Sequence, residues 1–280
     1  MLLMKNNDYL QNDLKDNTDS DNTYQSTFKV SKTSKIEYLI NEGAYDEALL
    51  LIDKILENDA NYANWNLKGI ILEKLKQYEQ AVESFDEALR LNGDDEILSN
   101  KNDCLYKWAK VSYFPDLKYD LALKLIDEAF DIIPDSIDPS EFYFLKAEIL
   151  ESMGERIESR KNYLIAYKQF DKLNELQKQL DYLENTTDLL VNITGSYYHN
   201  YTPSAGDIIT LVKEPENEHD SDAIAAYLNN EKIGYVANSE YTLFEKVKSA
   251  SKIKHDIEDI SEAQILFVYL DEYVIAKIIN

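Results

Sequence analysis

Up to about residue 185 the apolar positions recur at intervals of three and four, and from Val191 onward they tend to alternate with polar ones. The first period belongs to amphipathic helices and the second to half-buried strands, which predicts an all-α part followed by a β part. Residues 1–27 follow neither period and are rich in Asn, Asp, Ser and Thr, so a disordered tail is expected there. The expected organisation is a tail over 1–27, helices over 28–185 and a β module over 186–280. In the β module, strands are expected at 191–198, 208–212, 223–228 and 233–236, and a closing hairpin at 265–270 and 273–279. A helix is expected over 240–249, and Asn229-Asn230-Glu231-Lys232 reads as a hairpin turn. Six short strands and one helix suit a small barrel.

The helical part repeats itself. Its clearest unit is Trp65, Gly69, Leu72, Tyr78, Ala81, Phe85 and Ala88. Gly69 and Ala81 let two helices approach closely, Trp65, Leu72 and Phe85 fill the gap, and Tyr78 packs at the turn. An earlier unit runs through Gly43-Ala44-Tyr45, with Ala48 lying 33 residues before Ala81. A third carries Tyr119, Ala122, Ile126, Ala129 and Pro134; Ala122 falls 41 residues after Ala81, so an insertion is expected, as a loop at 111–116. A fourth is marked by Tyr143, Ala147, Leu150, Gly154, Tyr163 and Ala166, with Ser159 in a small-residue position. Phe170, Leu173, Leu176, Leu180 and Leu183 then share one face of a capping helix. The spacing resembles the tetratricopeptide repeat, whose period is about 34 residues. The resemblance implies a curved all-α solenoid whose concave surface binds a protein or peptide partner. Some such grooves hold a carboxylate with Lys and Asn; Asn64, Asn66 and Lys68 are available here, but no basic set recurs, and a solvated face is the simpler reading.

Charge narrows the partners. Lys and Arg number 29 against 53 Asp and Glu, a formal net charge of −24, so bulk attraction to nucleic acid or anionic lipid is excluded. The lone Cys104 excludes an intramolecular disulfide and a Cys-rich zinc site, and it reads as a packed thiol. His199, His219 and His255 have no metal-ligand spacing, and neither metal nor cofactor is expected. Phosphate-cradling, nucleophile-elbow and zinc-protease motifs are all missing, so the protein is expected not to be an enzyme. Met1–Lys5 is too short for a signal-peptide core and no apolar run approaches a membrane span, which gives a cytoplasmic expectation with no membrane partner.

The β module carries the most specific pattern. It runs Gly195, Tyr197-Tyr198, Gly206-Asp207, Leu211, Glu214-Pro215, Asn217, Asp220, Ala223-Ile224 and then Ile233-Gly234-Tyr235-Val236. This resembles the HIRAN domain, a small β-rich module found alone and fused to DNA translocases. The resemblance implies a barrel that grips the 3′ end of single-stranded DNA. On that basis Tyr198 would stack on the terminal base and Asp220 would accept a hydrogen bond from the 3′ hydroxyl. Asn217 would shape the loop or bond the last nucleotide, and Tyr235 would line the pocket. Tyr197 and Asn238 stand where DNA-binding members carry basic residues, and His219 where an aromatic one is common. Residues 186–280 hold seven Lys against sixteen Asp and Glu, though Lys213, Lys232, Lys246, Lys248, Lys252 and Lys254 offer a local basic strip. Asp220 also suits an Asx-turn that merely fixes its loop.

The sequence therefore predicts an α+β multidomain protein, a tetratricopeptide-like solenoid followed by a small HIRAN-like barrel. The expected function is a non-enzymatic adaptor whose array binds a protein and whose barrel binds single-stranded DNA. The alternative is a protein–protein scaffold with no nucleic-acid binding. The oligomeric state is left open.

Overall fold

The computed structural model of the chain describes residues 32–199, 201–239, 247–270 and 272–279. The expected tail, Lys246 and most of the helix expected over 240–249 lie outside the described residues. Among the described residues nine helices come first: α1 (Lys32–Asn41), α2 (Tyr45–Leu56), α3 (Tyr62–Lys74), α4 (Tyr78–Leu91), α5 (Asp95–Tyr113), α6 (Tyr119–Asp131), α7 (Ser140–Ser152), α8 (Arg156–Ala166) and α9 (Phe170–Asn185). Each helix packs on its sequence neighbour, and α3 with α4, α5 with α6 and α7 with α8 form the tightest pairs. Short-range contacts of this kind build a solenoid.

The close approach read from Gly69 is present. A Cβ at that position would sit 2.6 Å from the Phe85 ring, which is itself fully buried with Ala81 and Ala88. A left-handed residue recurs two places before a following helix, at Gly43, Lys76, Leu117, Gly154 and Lys168. This shared turn marks the repeat even where its residue type drifts. The insertion in the third repeat is not chiefly a loop. Helix α5 runs 19 residues against 13 for α3, and continues through Val111–Tyr113 before Phe114 and Pro115 end it. The extra length becomes helix because Ala109 and Ser112 bury one face of that last stretch. Asn64, Asn66 and Lys68 serve the array itself. Asn64 donates to the Asp59 carbonyl at 2.8 Å, Asn66 accepts from Asn100 at 3.1 Å, and Lys68 pairs with Asp53 at 2.9 Å.

The β part is a closed antiparallel barrel. Its strands are β1 (Leu190–Thr194), β2 (Ile208–Lys213), β3 (Ile224–Leu228), β4 (Glu231–Val236), β5 (Ile260–Tyr269) and β6 (Tyr273–Ile278), in the order β1-β4-β3-β2-β5-β6. Alternating residues such as Val191, Ile193, Ile209, Leu211, Ile224 and Ala263 fill its core. Four expectations shift, the first being that Glu231 and Lys232 belong to β4 and leave Asn229-Asn230 as the turn. Strand β1 stops at Thr194 because Gly195 turns to φ +83°, and Ser196–His199 form a short 3-10 turn in place of a strand. Strand β5 starts five residues early, since buried Ser261 and Ala263 continue its inward face without looking apolar. Val247–Ser249 are not helical; a single turn, α10 (Ala250–Ile253), follows instead.

The barrel does not hang free of the array. Leu164, Leu176 and Leu183 from α8 and α9 share one apolar cluster with Leu190, Tyr269 and Ile275 of the barrel. Arg156 adds polar contacts, donating to the Tyr273 hydroxyl at 3.1 Å and pairing with Glu272.

Candidate nucleic-acid interface

The loop between β2 and β3 is held by its own side chains. Asn217 Oδ1 accepts the backbone amides of His219 and Asp220, at 3.0 and 3.2 Å, and Asp220 Oδ1 accepts the amide of Asp222 at 2.8 Å. Two successive Asx-type closures fix the loop without help from a ligand. Asp220 Oδ2 accepts from Asn238 Nδ2 at 2.8 Å, and Asn238 Oδ1 takes the amide of Ser251 at 2.9 Å. Asn238 thus ties the loop to α10. His219 is exposed at the loop tip.

A second set of contacts centres on Glu214. Its carboxylate accepts from Asn217 Nδ2 at 2.9 Å, Lys232 Nζ at 2.8 Å and the Tyr235 hydroxyl at 3.2 Å. The Lys232 ammonium holds the Glu214 carboxyl below the usual carboxylate range. Burial alone would lower the Lys232 pKa, but its bonds to Glu214 and Tyr235 outweigh that and raise it. Lys232 also lies 4.6 Å from the Tyr235 ring centroid. Glu214 and Lys232 were not singled out for this role in the sequence; the signal was Glu-Pro opening the loop, with a lysine and a tyrosine three apart on β4.

Tyr198 sits on the 3-10 turn that follows Gly195, and its side chain is 85% exposed. The turn packs against β4, where Gly234 meets the end of β1 so closely that a Cβ would lie 2.3 Å from the Thr194 carbonyl. Tyr197 is on the same turn, its side chain outside the described set. The structure therefore links Asn217, Asp220, Tyr235 and Asn238 in one hydrogen-bonded group, with His219 at its edge, and sets Tyr198 on a turn beside the strand that carries Tyr235.

Most described lysines of the basic strip are paired within the barrel. Lys213 bonds the Ile257 carbonyl at 2.8 Å, Lys232 pairs with Glu214, Lys248 with Asp256 at 2.8 Å, and Lys254 with Asp222. Among the described residues of this strip, only exposed Lys252 has no ion pair. No group of three His, Cys, Asp or Glu among the described residues could hold a metal ion.

Fold and motif agree with one comparison. Residues 187–254 match the HIRAN domain. The HIRAN match ends at Lys254, before the β5–β6 hairpin that closes the barrel. Residues 64–95 match the tetratricopeptide repeat, so a protein-interaction repeat and a nucleic-acid-binding type of domain occur in one chain. No curated protein matches the chain. Among solved structures, a crystal structure of MamA is 18% identical, covering 50% of this chain and 77% of its own, with a TM-score of 0.36. MamA from Desulfovibrio magneticus RS-1, residues 41 to the end, is 16% identical, covering 54% and 95%, with a TM-score of 0.26. No helix among the described residues is long and apolar enough to cross a membrane.

Proposed function

We propose that this chain is a non-enzymatic adaptor of the cytoplasm: the helical array docks a protein partner and the barrel binds single-stranded DNA at a free 3′ end. The observation that carries the reading is the Asp220 carboxylate, fixed at the HIRAN acceptor position by one hydrogen bond on each oxygen. A carboxylate oxygen has two acceptor positions, so each retains one for a ligand hydroxyl. A fixed carboxylate favours a hydroxyl and repels a phosphate, which discriminates a free end from a phosphorylated one. The exposed Tyr198 ring supplies stacking worth about 1–3 kcal/mol per base without sequence preference.

The pairing of the barrel lysines favours a second reading, a protein-interaction scaffold, because few cations remain to meet phosphates. One experiment separates the two. Fluorescence anisotropy of the full chain with short single-stranded DNA at low salt would compare a 3′ hydroxyl with a 3′ phosphate. Tighter binding to the hydroxyl, lost in Asp220→Ala with the fold intact by circular dichroism, supports end recognition. No binding at low salt overturns it in favour of the scaffold.

A further inference from the structure

Helix α8 carries one line of side chains that leads away from the barrel. Arg156, Arg160, Tyr163 and Tyr167 are spaced four, three and four residues apart, which puts them on one stripe. At its start Arg156 contacts Glu272 and Tyr273, at the turn between β5 and β6. Strand β1 runs antiparallel to β6 with Ile193 opposite Val274, so the 3-10 turn bearing Tyr198 leaves the barrel at this same end. The far end of the stripe is aromatic. The Tyr163 and Tyr167 rings are 16° from parallel with centroids 6.4 Å apart, and Phe144 stands edge-on to both at 5.6 and 6.0 Å. Tyr167 is 60% exposed and the neighbouring Phe170 54%.

The charge of this region departs from the rest of the chain. Between residues 156 and 178 there are six Lys and Arg against three Asp and Glu, including two of the three arginines in the whole sequence. Lys172 is exposed and has no ion pair among the described residues. Lys168, directly after Tyr167, pairs only with Asp138, and both side chains are more than half exposed, at 62% and 60%. An exposed pair of that kind contributes at most about 1 kcal/mol and gives way to a phosphate. On the other flank Glu151 accepts the Tyr163 hydroxyl at 2.9 Å, with Glu148 nearby on α7. The α9 side, where Lys168 and Lys172 stand beside Asp138 and Asp171, carries the exposed cations of this surface.

We propose that the Tyr167 end of α8 is a second nucleic-acid contact, on which a base of the strand stacks while its phosphates meet Lys168 and Lys172. The inference rests on the barrel's holding the 3′ end: the strand leaves near Tyr198 and runs along the array. Binding energy then grows with strand length until the strand reaches α8.

The test is anisotropy of the full chain with labelled thymidine oligomers of four and twenty nucleotides, each with a free 3′ hydroxyl. The twenty-mer binds the unaltered protein more tightly than the four-mer. Tyr167→Ala lowers twenty-mer affinity about tenfold, as expected for loss of one aromatic–base stack, and leaves the four-mer unchanged. Lys172→Glu acts in the same direction, and Tyr167→Phe, which keeps the ring, binds normally. Tyr198→Ala weakens both oligomers, so failure of the barrel reading is seen separately. Equal binding of the two lengths, or a twenty-mer unaffected by Tyr167→Ala, overturns the second contact and leaves the barrel reading standing. Absence of binding to either oligomer overturns both. Loss of a bound protein from Tyr167→Ala with twenty-mer binding intact reassigns this face to the array's protein partner.

Discussion

Asn238 stands between Asp220 and α10, giving its amide hydrogen to Asp220 Oδ2 at 2.8 Å and taking the Ser251 amide at 2.9 Å. In sequence it reads as a missing cation; in the fold it is a tether that aims the acceptor. Asn238→Ala removes one hydrogen bond to a carboxylate and strands the Ser251 amide, at a cost of about 1.5–3 kcal/mol. Urea unfolding should show that loss, and any preference for a 3′ hydroxyl should fall with it.

Gly234 has a second, stricter demand on its position. Its φ is +152° and a Cβ would lie 2.3 Å from the Thr194 carbonyl oxygen, a backbone atom that cannot swing aside. Gly234→Ala should destabilise the protein by about 3 kcal/mol or more, through steric overlap and a strained φ together. A melting temperature within a degree or two of the parent would show that β1 and β4 can part at no cost.

Lys76 takes φ +60° at the turn where the first and fourth repeats carry Gly43 and Gly154. A left-handed non-glycine residue costs about 1–2 kcal/mol, part of which glycine returns through its greater freedom when unfolded. Lys76→Gly should therefore stabilise the array by about 0.5–1 kcal/mol, read as a higher urea midpoint with unchanged slope.

Acid should loosen the Glu214 cluster in a defined direction. Its carboxyl is held below the usual range by Lys232, so the folded protein binds that proton less readily than the unfolded chain. The associated stability is complete above the unfolded pKa of about 4.3 and fades as pH falls from there through the lower folded value. Melting temperature measured from pH 6 down to pH 3 should drop less steeply in Glu214→Gln than in the parent. Identical slopes would mean that Glu214 is not held by Lys232 in solution.

Cys104 is fully buried, and burial, followed by the nearby Glu73 carboxylate, pushes its thiol up to about 12. An aromatic disulfide reagent at pH 8 should leave the native protein unmodified and react with one thiol per chain once urea unfolds it. Rapid labelling of the folded protein would place this part of α5 in a more open packing.

What was legible in the sequence follows from how uniquely a residue reports its neighbour. Gly69 and Phe85 announced each other because only a missing side chain admits a ring at that distance. Phe114-Pro115 misled in the other direction: a loop signal marked the insertion, while the apolar face of α5 carried the helix up to it. In the barrel, Ser261 and Ala263 face inward as readily as valine would, so polarity hid the start of β5. Asn217 and Asp220 were visible as loop residues, but their partners were not. A hydrogen bond from Asn238, eighteen residues away, has no periodicity to betray it.

The apolar cluster shared by α8, α9 and the barrel has a practical consequence for anyone dissecting the chain. Tyr269 is fully buried and Ile275 beside it likewise, although both belong to strands at the rim nearest the array. A cut between Asn185 and Leu190 leaves an oily wound on each fragment, with Leu176 and Leu183 bared on one and Leu190 and Ile275 on the other. The barrel closes on its own strands, but one apolar outer face is sheltered by the solenoid, so the two halves are to be handled, heated and unfolded as a single body.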